Sequence, residues 1–472
     1  MIFNSFQFLW LFPIIFCVYW TVTRWMGRKE LVPRWSNYLL IGISYGLYLQ
    51  WKPVYSLVLL GVTAVTYLAA LKIERDKAYG RKKYIVCSGL ILAALPLLVF
   101  KYYNFLNDCI TGLLGGLNIQ VGLPGLNWAM PLGISFFTLQ AIGYLVDVYL
   151  HRIKAEHNWW DYMLFVCFFP QIASGPISKA ADLLPQIKTN RSFNYSQIVQ
   201  GLKWLLWGMF MKVVVADRLG LNVNDAYVHL QTNGGLTLFM ASICYTMEVY
   251  CDFAGYSFMA LGVGKIMGFE LINNFQRPFF SQSITEFWRR WHISLSTWLK
   301  DYIYIPLGGS RCSKVRNYWN IMVTFVVSGL WHGANWTFVV WGSIHGAFQV
   351  IEKHFGMNSF KSKGLIKFCR IIYTFLLFNF SMIFFYMPSI SDAFLVYTKI
   401  STDFSGSFTP WLASCLFSGL VVVKDLADEF NIKRLQFLHS QYIIIRWGAY
   451  LFLIFMIMVF GVYGGQFIYS GF

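Results

Sequence analysis

Long apolar stretches recur along most of the sequence, and they restrict what the chain can fold into. Because a helix needs about 20 apolar residues to cross a bilayer, each stretch is a candidate membrane segment. The candidates lie near 6–26, 36–51, 54–73, 84–106, 128–150, 159–177, 196–216, 236–264, 317–352, 365–388, 409–424 and 442–464. Since 317–352 is long enough for two helices, we predict an all-α polytopic membrane protein with roughly 10 to 12 membrane helices.

The composition agrees with a membrane protein. Charged residues make up 12% of the 472 residues and hydrophobic residues 57%, whereas a soluble domain carries about 25% charge. This composition excludes a soluble enzyme, a disordered chain and a small disulfide-linked secreted domain. The net charge of +17 is then explained by cytoplasmic loops and by contact with anionic membrane lipids, so we expect no nucleic-acid partner.

The charge of the early loops predicts the orientation of the chain. Segment 72–83 carries six Lys or Arg residues, and segment 107–127 carries none. By the positive-inside rule the first segment is cytoplasmic and the second is outside, which places the N-terminus outside. Because no long polar linker divides the sequence, we expect one integral membrane domain over 1–472.

Two segments depart from the pattern of simple membrane helices. The stretch FFPQIASGPI, 168–177, has two prolines and a glycine in an apolar run and predicts a broken or re-entrant element. Residues 274–316 are polar and aromatic, and Ser283 and Glu286 have the spacing of a helix capping box. We predict one amphipathic helix over 285–304 that lies in the interface or in a cavity. Its buried face would carry Trp288, Trp291, His292, Leu295 and Leu299.

His332 is the first candidate for chemistry, because ionisable residues inside membrane segments are costly and rare. It lies in VVSGLWHGANW, 326–336, where Gly329 and Gly333 allow a helix or a ligand to approach the backbone closely. A neutral imidazole there could take a proton from a hydroxyl group, as a general base does. The alternative is a packed histidine that hydrogen-bonds to a neighbouring helix.

Two further histidines lie in aromatic motifs. His292 is either a buried core residue or a group that orients a thioester or positions His332. His345 follows His332 by 13 residues, which is about 220° around a straight helix, so the two would face nearly opposite sides. Both could reach one site only if the chain breaks near Gly333–Asn335. We therefore expect a structural role for His345, or a role in supporting the residues that touch the substrate.

Acidic residues in the apolar segments form a further candidate group. Glu248 and Asp252 are four residues apart, where they could relay protons or bind a cation. The alternative is a hydrogen bond to a neighbouring helix or an ion pair with a base such as Lys265. Asp301 could pair with a histidine or with a nearby arginine. The sequence has no GxxxxGK[ST], GxSxG or HExxH motif, and its scattered histidines do not predict a metal site.

The middle third of the sequence resembles the membrane-bound O-acyltransferase family. The resemblance rests on FWRRWHISLSTWLKDYIYIPLGG, 287–309, and SGLWHGANWTFVVWGSIHG, 328–346. CDFAGYSFMALG, 251–262, FFPQIASGPI and the opening MIFNSFQFLWLF are also similar to the branch that acetylates polysaccharides such as alginate. The motif-bearing core is about 245–350. One departure is Phe258, because the alginate-type pattern commonly has an acidic residue there.

This resemblance implies a fold and an activity. Re-entrant and interfacial helices would surround a central tunnel, and an acyl group would pass from a thioester donor to a hydroxyl. The catalytic histidine of the family falls on His332, and the second family histidine falls on His292. We expect acetyl-CoA or another acyl thioester as the donor substrate and no bound cofactor. The expected supporting residues are Trp288, Asp301, Trp331 and Asn335, and the expected donor contacts are Arg289 and Arg290, which could instead extend to the membrane interface.

The resemblance also implies partners and a location. The acceptor would be a polysaccharide outside the cytoplasmic membrane of a bacterium, as in exopolysaccharide and alginate biosynthesis, with an esterase-like partner protein on the outer side. Within the enzyme class, the alternative is D-alanyl transfer from a carrier-protein thioester to teichoic acid. Outside it, the alternatives are a transporter of lipids or acyl carriers that uses Glu248, Asp252 and Lys265, and a scaffold of a polymer-export complex.

Overall fold

The computed structural model describes residues 3–27, 34–119, 122, 124–172, 175–357 and 362–465, and within these ranges it contains helices and no β-strand. The described chain divides into two compact units. The N-terminal unit contains the residues up to Gly201 together with Val263–Ile272, and the C-terminal unit contains Leu202–Gly262 and the residues from Asn273 onward.

Nine complete α-helices and the start of a tenth lie among the described residues of the N-terminal unit. They are α1 (Phe6–Gly27), α2 (Arg34–Trp51), α3 (Pro53–Arg75), α4 (Tyr79–Leu97), α5 (Tyr103–Gly116), α6 (Ile134–Tyr149), α7 (Trp159–Cys167), α8 (Phe169–Ile172), α9 (Ala180–Lys188) and α10 (Tyr195–Met209). A π-helical turn at Leu98–Tyr102 joins α4 to α5, directly after Pro96, whose missing N–H disturbs the regular hydrogen-bond ladder.

The predicted break in 168–177 is confirmed in its described part, and Ala173 and Ser174 lie outside the described residues. Helix α7 ends at Cys167, and α8 is a single turn. Side chains bind backbone groups at this break, because the Ser44 hydroxyl accepts a hydrogen bond from the Phe169 N–H at 3.1 Å. In a membrane protein such internal partners are needed wherever a helix is interrupted.

Ten further helices lie wholly or mostly in the described part of the C-terminal unit, and the motif-bearing helices are among them. They are α11 (Asp217–Val228), α12 (Gly235–Ile266), α13 (Ile284–Arg290), α14 (Ile293–Leu299), α15 (Lys314–His332), α16 (Trp336–His354), α17 (Gly364–Tyr386), α18 (Ile390–Thr402), α19 (Leu412–Glu429) and α20 (Ile443–Phe460). Glycines let α15 and α16 touch, because a Cβ on Gly329 would lie 2.2 Å from the Phe338 carbonyl oxygen, and one on Gly342 would lie 2.3 Å from that of Phe325. Only glycine fits at such backbone contacts.

Seven helical segments among the described residues are long and apolar enough to cross a membrane, so the protein is a multi-pass membrane protein. They are Phe6–Trp25, Pro53–Arg75, Tyr79–Gly116, Tyr195–Val228, Gly364–Tyr386, Thr409–Glu429 and Ile443–Phe460. The described parts of the other predicted segments contain helices that are shorter or more polar. Helix α6 has 16 residues, and α12 contains Glu248, Asp252 and Lys265.

Candidate active site

His292 lies at a break between two short helices, so the prediction of one helix over 285–304 is wrong. Helix α13 ends at Arg290 and α14 begins at Ile293, and His292 between them has a φ of 43°, in the left-handed region. A non-glycine residue is uncommon there, and the surrounding structure must hold it in place.

Asn274 holds this break. Its backbone carbonyl accepts a hydrogen bond from Ile293 N–H at 3.0 Å, and its side-chain carbonyl accepts one from Ser294 N–H at 3.1 Å. These are N–H groups of the first turn of α14, which have no partner within their own helix. His292 itself is fully buried, and burial lowers its pKa to about 3. The imidazole is therefore neutral near pH 7.

Helix α13 is fixed at its start by two acceptors. The Ser283 hydroxyl accepts a hydrogen bond from Glu286 N–H at 3.0 Å, as the capping-box spacing predicts. In a capping box the Glu286 carboxylate would accept a hydrogen bond from Ser283 N–H. It accepts instead from Gln282 N–H, at 2.9 Å. The buried carboxylate of Glu352 on α16 accepts from the N–H groups of Ile284 at 2.6 Å and of the next residue at 2.9 Å. A negative charge at this helix end is favourable, so α16 anchors α13.

His332 is the last residue of α15. The chain leaves the helix at Gly333 and begins α16 at Trp336, so the break that a shared site of His332 and His345 requires is present. Asn335 supports this turn, because its side-chain oxygen accepts a hydrogen bond from Thr337 N–H at 3.1 Å and its amide donates to the Pro388 carbonyl at 2.9 Å.

One tryptophan contacts both predicted catalytic histidines. The ring centroid of Trp331 lies 5.7 Å from that of His292 and 5.0 Å from that of His332. His332 is buried and also packs against Trp341 at 5.0 Å. His345 lies 4.8 Å from the same Trp341 ring, so the break after α15 brings His332 and His345 to one aromatic cluster.

A cavity of about 310 Å³ lies beside these residues in the C-terminal unit. Three cationic side chains line it, those of Arg289, Lys300 and Lys353. Trp288 and Ser328 also line it, and Ser328 is one helical turn before His332 on α15. The remaining lining residues are Thr285, Ser296, Leu299, Tyr304, Ile321, Thr324, Phe325 and Gln349. A cavity with three cations suits an anionic molecule.

The arginines of the RRWH motif have different surroundings. Arg289 lines the cavity, whereas Arg290 forms ion pairs with Glu286 at 2.6 Å and with Glu429 at 3.0 Å. Asp301 lies 3.7 Å from the amino group of Lys300, whose side chain also lines the cavity. Of the two arginines predicted to contact the donor, Arg289 therefore lies at the cavity and Arg290 lies in an ion-pair network.

Asp252 of α12 belongs to a buried ionic cluster. Lys212 pairs with Asp252 at 2.5 Å and with Asp217 at 2.6 Å, and its side chain is 1% exposed. The proposed partner Lys265 instead pairs with Glu270 at 3.0 Å. Sequence reasoning missed Lys212, although a lone lysine inside an apolar stretch is a signal for a buried ion pair.

Phe258, the departure from the alginate-type pattern, lines a second cavity of about 170 Å³ in the same unit. Asp425 and Asp428 on α19 also line it. Carboxylates at this cavity therefore come from a different helix than the family pattern predicts.

Comparison with known proteins agrees with the motifs. The model of MBOAT, the membrane-bound O-acyltransferase family, matches residues 150–391, which include both WH motifs. The chain is 35% identical to "Probable alginate O-acetylase AlgI" of Pseudomonas aeruginosa over 88% of this chain and 76% of that protein. It is 32% identical to the peptidoglycan O-acetyltransferase of Helicobacter pylori over 84% and 79% of the two chains.

A more distant relative has a different transfer activity in its name. The chain is 27% identical to the teichoic acid D-alanyltransferase of Bacillus subtilis over 66% of this chain and 78% of that protein. The family match and the coverage of the O-acetylating relatives agree with the sequence motifs and with the all-helical fold. The chain therefore belongs to the membrane-bound O-acyltransferase family and is a membrane O-acyltransferase.

Proposed function

We propose that this protein transfers an acetyl group from cytosolic acetyl-CoA to hydroxyl groups of a polysaccharide outside the bacterial cytoplasmic membrane, directly or through a partner protein. The observation that carries the proposal is the pair of buried histidines on one tryptophan, next to a cavity with three cations. The relatives named for O-acetylation of alginate and of peptidoglycan support the acetyl group and the polymer acceptor.

The donor would occupy the cationic cavity. Coenzyme A carries phosphate groups on a long, thin pantetheine arm, and Arg289, Lys300 and Lys353 supply positive charge for the phosphates. The arm would then extend along Trp288 and Ser328 toward His332. Lys314 and Arg316 at the start of α15 add positive charge on the α15 helix that contributes Ser328 to the cavity wall. By the positive-inside rule these residues favour a cytoplasmic position for the cationic cavity.

His332 is our candidate for the general base. It would take the proton of the acceptor hydroxyl while the hydroxyl oxygen attacks the thioester carbonyl carbon. The carbon–sulfur bond then breaks, and the protonated His332 returns the proton to the leaving thiolate. Such proton transfer typically contributes about 10²–10⁴ in rate. A neutral His292 would orient the thioester or polarise its carbonyl oxygen.

The charges of the early loops support an orientation with the N-terminus outside. With this orientation, cytosolic acetyl-CoA and an external hydroxyl would approach His332 from opposite sides of the membrane. An esterase-like partner protein on the outer side could accept the acetyl group and pass it to the polymer. Membrane lipids surround the protein in either case.

The test compares ester-linked acetyl content of cell-surface polysaccharides by NMR in strains with wild-type protein, a deletion, His332→Ala and Glu248→Gln. His229→Ala is the matched control, because this side chain is 60% exposed and pairs with Asp225 on the surface. We expect acetyl ester to disappear in the deletion and His332→Ala strains at unchanged protein level.

The outcomes separate the alternatives. Loss of D-alanine ester with unchanged acetyl ester would replace our proposal with D-alanyl transfer. Activity that survives His332→Ala but is lost in Glu248→Gln would favour a transporter. Unchanged acetyl and D-alanine esters in the deletion strain would refute both acyl-transfer assignments.

A further inference from the structure

We propose that His345 is a positioning residue, which holds Trp288 at the wall of the donor cavity and Trp341 beside His332 in one fixed arrangement. This inference rests on the proposed function, because its consequence is a change in the rate of acetyl transfer. His345 is fully buried on α16 and has no part in the mechanism described above.

Hydrogen bonds fix the protonation and the orientation of the His345 ring. The Trp288 indole N–H lies 3.4 Å from His345 Nδ1, and His345 Nε2 lies 2.8 Å from the Ser381 hydroxyl oxygen. An indole N–H can only donate, so Nδ1 must accept. The Ser381 hydroxyl donates to the Phe378 carbonyl at 2.7 Å, so it accepts from Nε2–H. The neutral His345 tautomer with its proton on Nε2 therefore satisfies every donor and acceptor in the hydrogen bonds that join Trp288, His345 and Ser381.

Contacts between aromatic rings connect these hydrogen-bonded residues to His332. The Trp341 ring lies 4.8 Å from His345, 5.7 Å from Trp288 and 5.0 Å from His332. His345 thus contacts both the cavity wall and the ring against which His332 packs.

Trp341 is oriented by packing alone among the described residues. Its buried indole N–H has no hydrogen-bond partner in the described part of the chain, although most buried donors have one. A ring without this constraint shifts when a neighbouring ring changes. A change at His345 should therefore alter the position of His332 without touching the imidazole that takes the proton.

The expected effect is on turnover. A displacement of about 1 Å of a catalytic group can lower a rate about 10²-fold. We expect His345→Phe, which retains a ring and loses both hydrogen bonds, to lower kcat about 10–100-fold. His345→Gln, whose amide has a donor and an acceptor, should recover part of that loss, and Ser381→Ala should lower kcat to a smaller extent.

The experiment measures release of free CoA thiol from acetyl-CoA in membranes that contain the full-length protein and its native acceptors. Rates are divided by the amount of protein, and thermal unfolding is measured in detergent. Ser343→Ala is the matched control for Ser381→Ala, because the Ser343 hydroxyl also bonds within its helix, to the Val339 carbonyl at 2.8 Å. His332→Ala reports on the proposed function.

The results distinguish failure of the positioning role of His345 from failure of the proposed acetyl transfer. If His332→Ala is inactive and His345→Phe retains wild-type kcat, the positioning role is refuted and the proposed function stands. If His332→Ala retains activity, the proposed function is refuted whatever His345 does. If His345→Phe fails to fold, Ser381→Ala and His345→Gln decide, and wild-type kcat in both would contradict the inference. A loss of kcat in Ser381→Ala with an unchanged unfolding temperature, and no loss in Ser343→Ala, would support it.

Discussion

His292 and His332 are 40 residues apart in the sequence, yet both pack against the indole of Trp331, at centroid distances of 5.7 and 5.0 Å. The contact exists because α14 begins directly after His292 and α15 ends at His332. Each histidine thus lies at the end of a helix, where backbone breaks and not helical periodicity set the direction of its side chain.

Trp331 should be required for the relative position of the two histidines. Trp331→Ala removes the ring that both contact, and we expect transfer to fall about 10–100-fold because a small displacement of a catalytic group is costly. Trp331→Phe retains an aromatic ring and should lose less. The measurement is CoA release per protein in membranes, and equal activity of all three proteins would contradict a shared support.

Arg289 and Arg290 should have separable effects. Arg289→Ala removes charge from the cavity, so we expect the acetyl-CoA concentration at half-maximal rate to rise about tenfold, as for the loss of a charge-assisted hydrogen bond. Arg290→Ala leaves Glu429 with one arginine partner, Arg277, at 2.9 Å, and should lower the unfolding temperature with little change in donor dependence. Reversed effects would show that Arg290 is the donor contact.

Glu352 should control the position of α13. Glu352→Ala leaves the N–H groups of Ile284 and Thr285 without their acceptor. We expect the free energy of unfolding to fall by about 1–2 kcal/mol, as for other lost helix caps. The acetyl-CoA concentration at half-maximal rate should rise as well, because α13 carries Arg289. Glu352→Gln keeps one carbonyl acceptor and should be milder. Thermal unfolding and CoA release, measured in parallel, check both effects.

Lys212 should be a strong determinant of stability. Lys212→Met leaves the carboxylates of Asp217 and Asp252 buried without their shared cation, and loss of one partner of a buried ion pair costs about 3–5 kcal/mol. Lys265→Met is the control, because its partner Glu270 is 68% exposed and such a pair contributes about 0–1 kcal/mol. Similar unfolding temperatures for the two variants would contradict the buried cluster.

Local sequence patterns were sufficient for part of the fold and of the site. The Ser283 cap was predicted, and the place of a possible break after His332 was identified, because each depends on residues within a few positions of one another. The break at His292 was not predictable in this way, because its acceptors come from Asn274, 18 residues earlier. The anchor of α13 at Glu352 is 68 residues away from Ile284, and no local motif indicates it.

Ion-pair partners were also beyond the sequence pattern. Lys265 follows Asp252 on the same helix and was the nearest candidate base, but tertiary structure brings Lys212 to that carboxylate. The choice depends on which helices lie side by side, which the spacing of charges along one helix does not determine.

The glycine contacts between α15 and α16 have a consequence for how this site tolerates sequence change. At Gly329 and Gly342 the two helices meet through their backbones, so main-chain atoms set the distance between the helices that carry His332 and Trp341. Side chains elsewhere in a core can change rotamer to absorb a substitution, but a backbone contact has no such freedom. Gly329 and Gly342 therefore fix the spacing of the two helices, and even an added methyl group at either position would push their backbones apart.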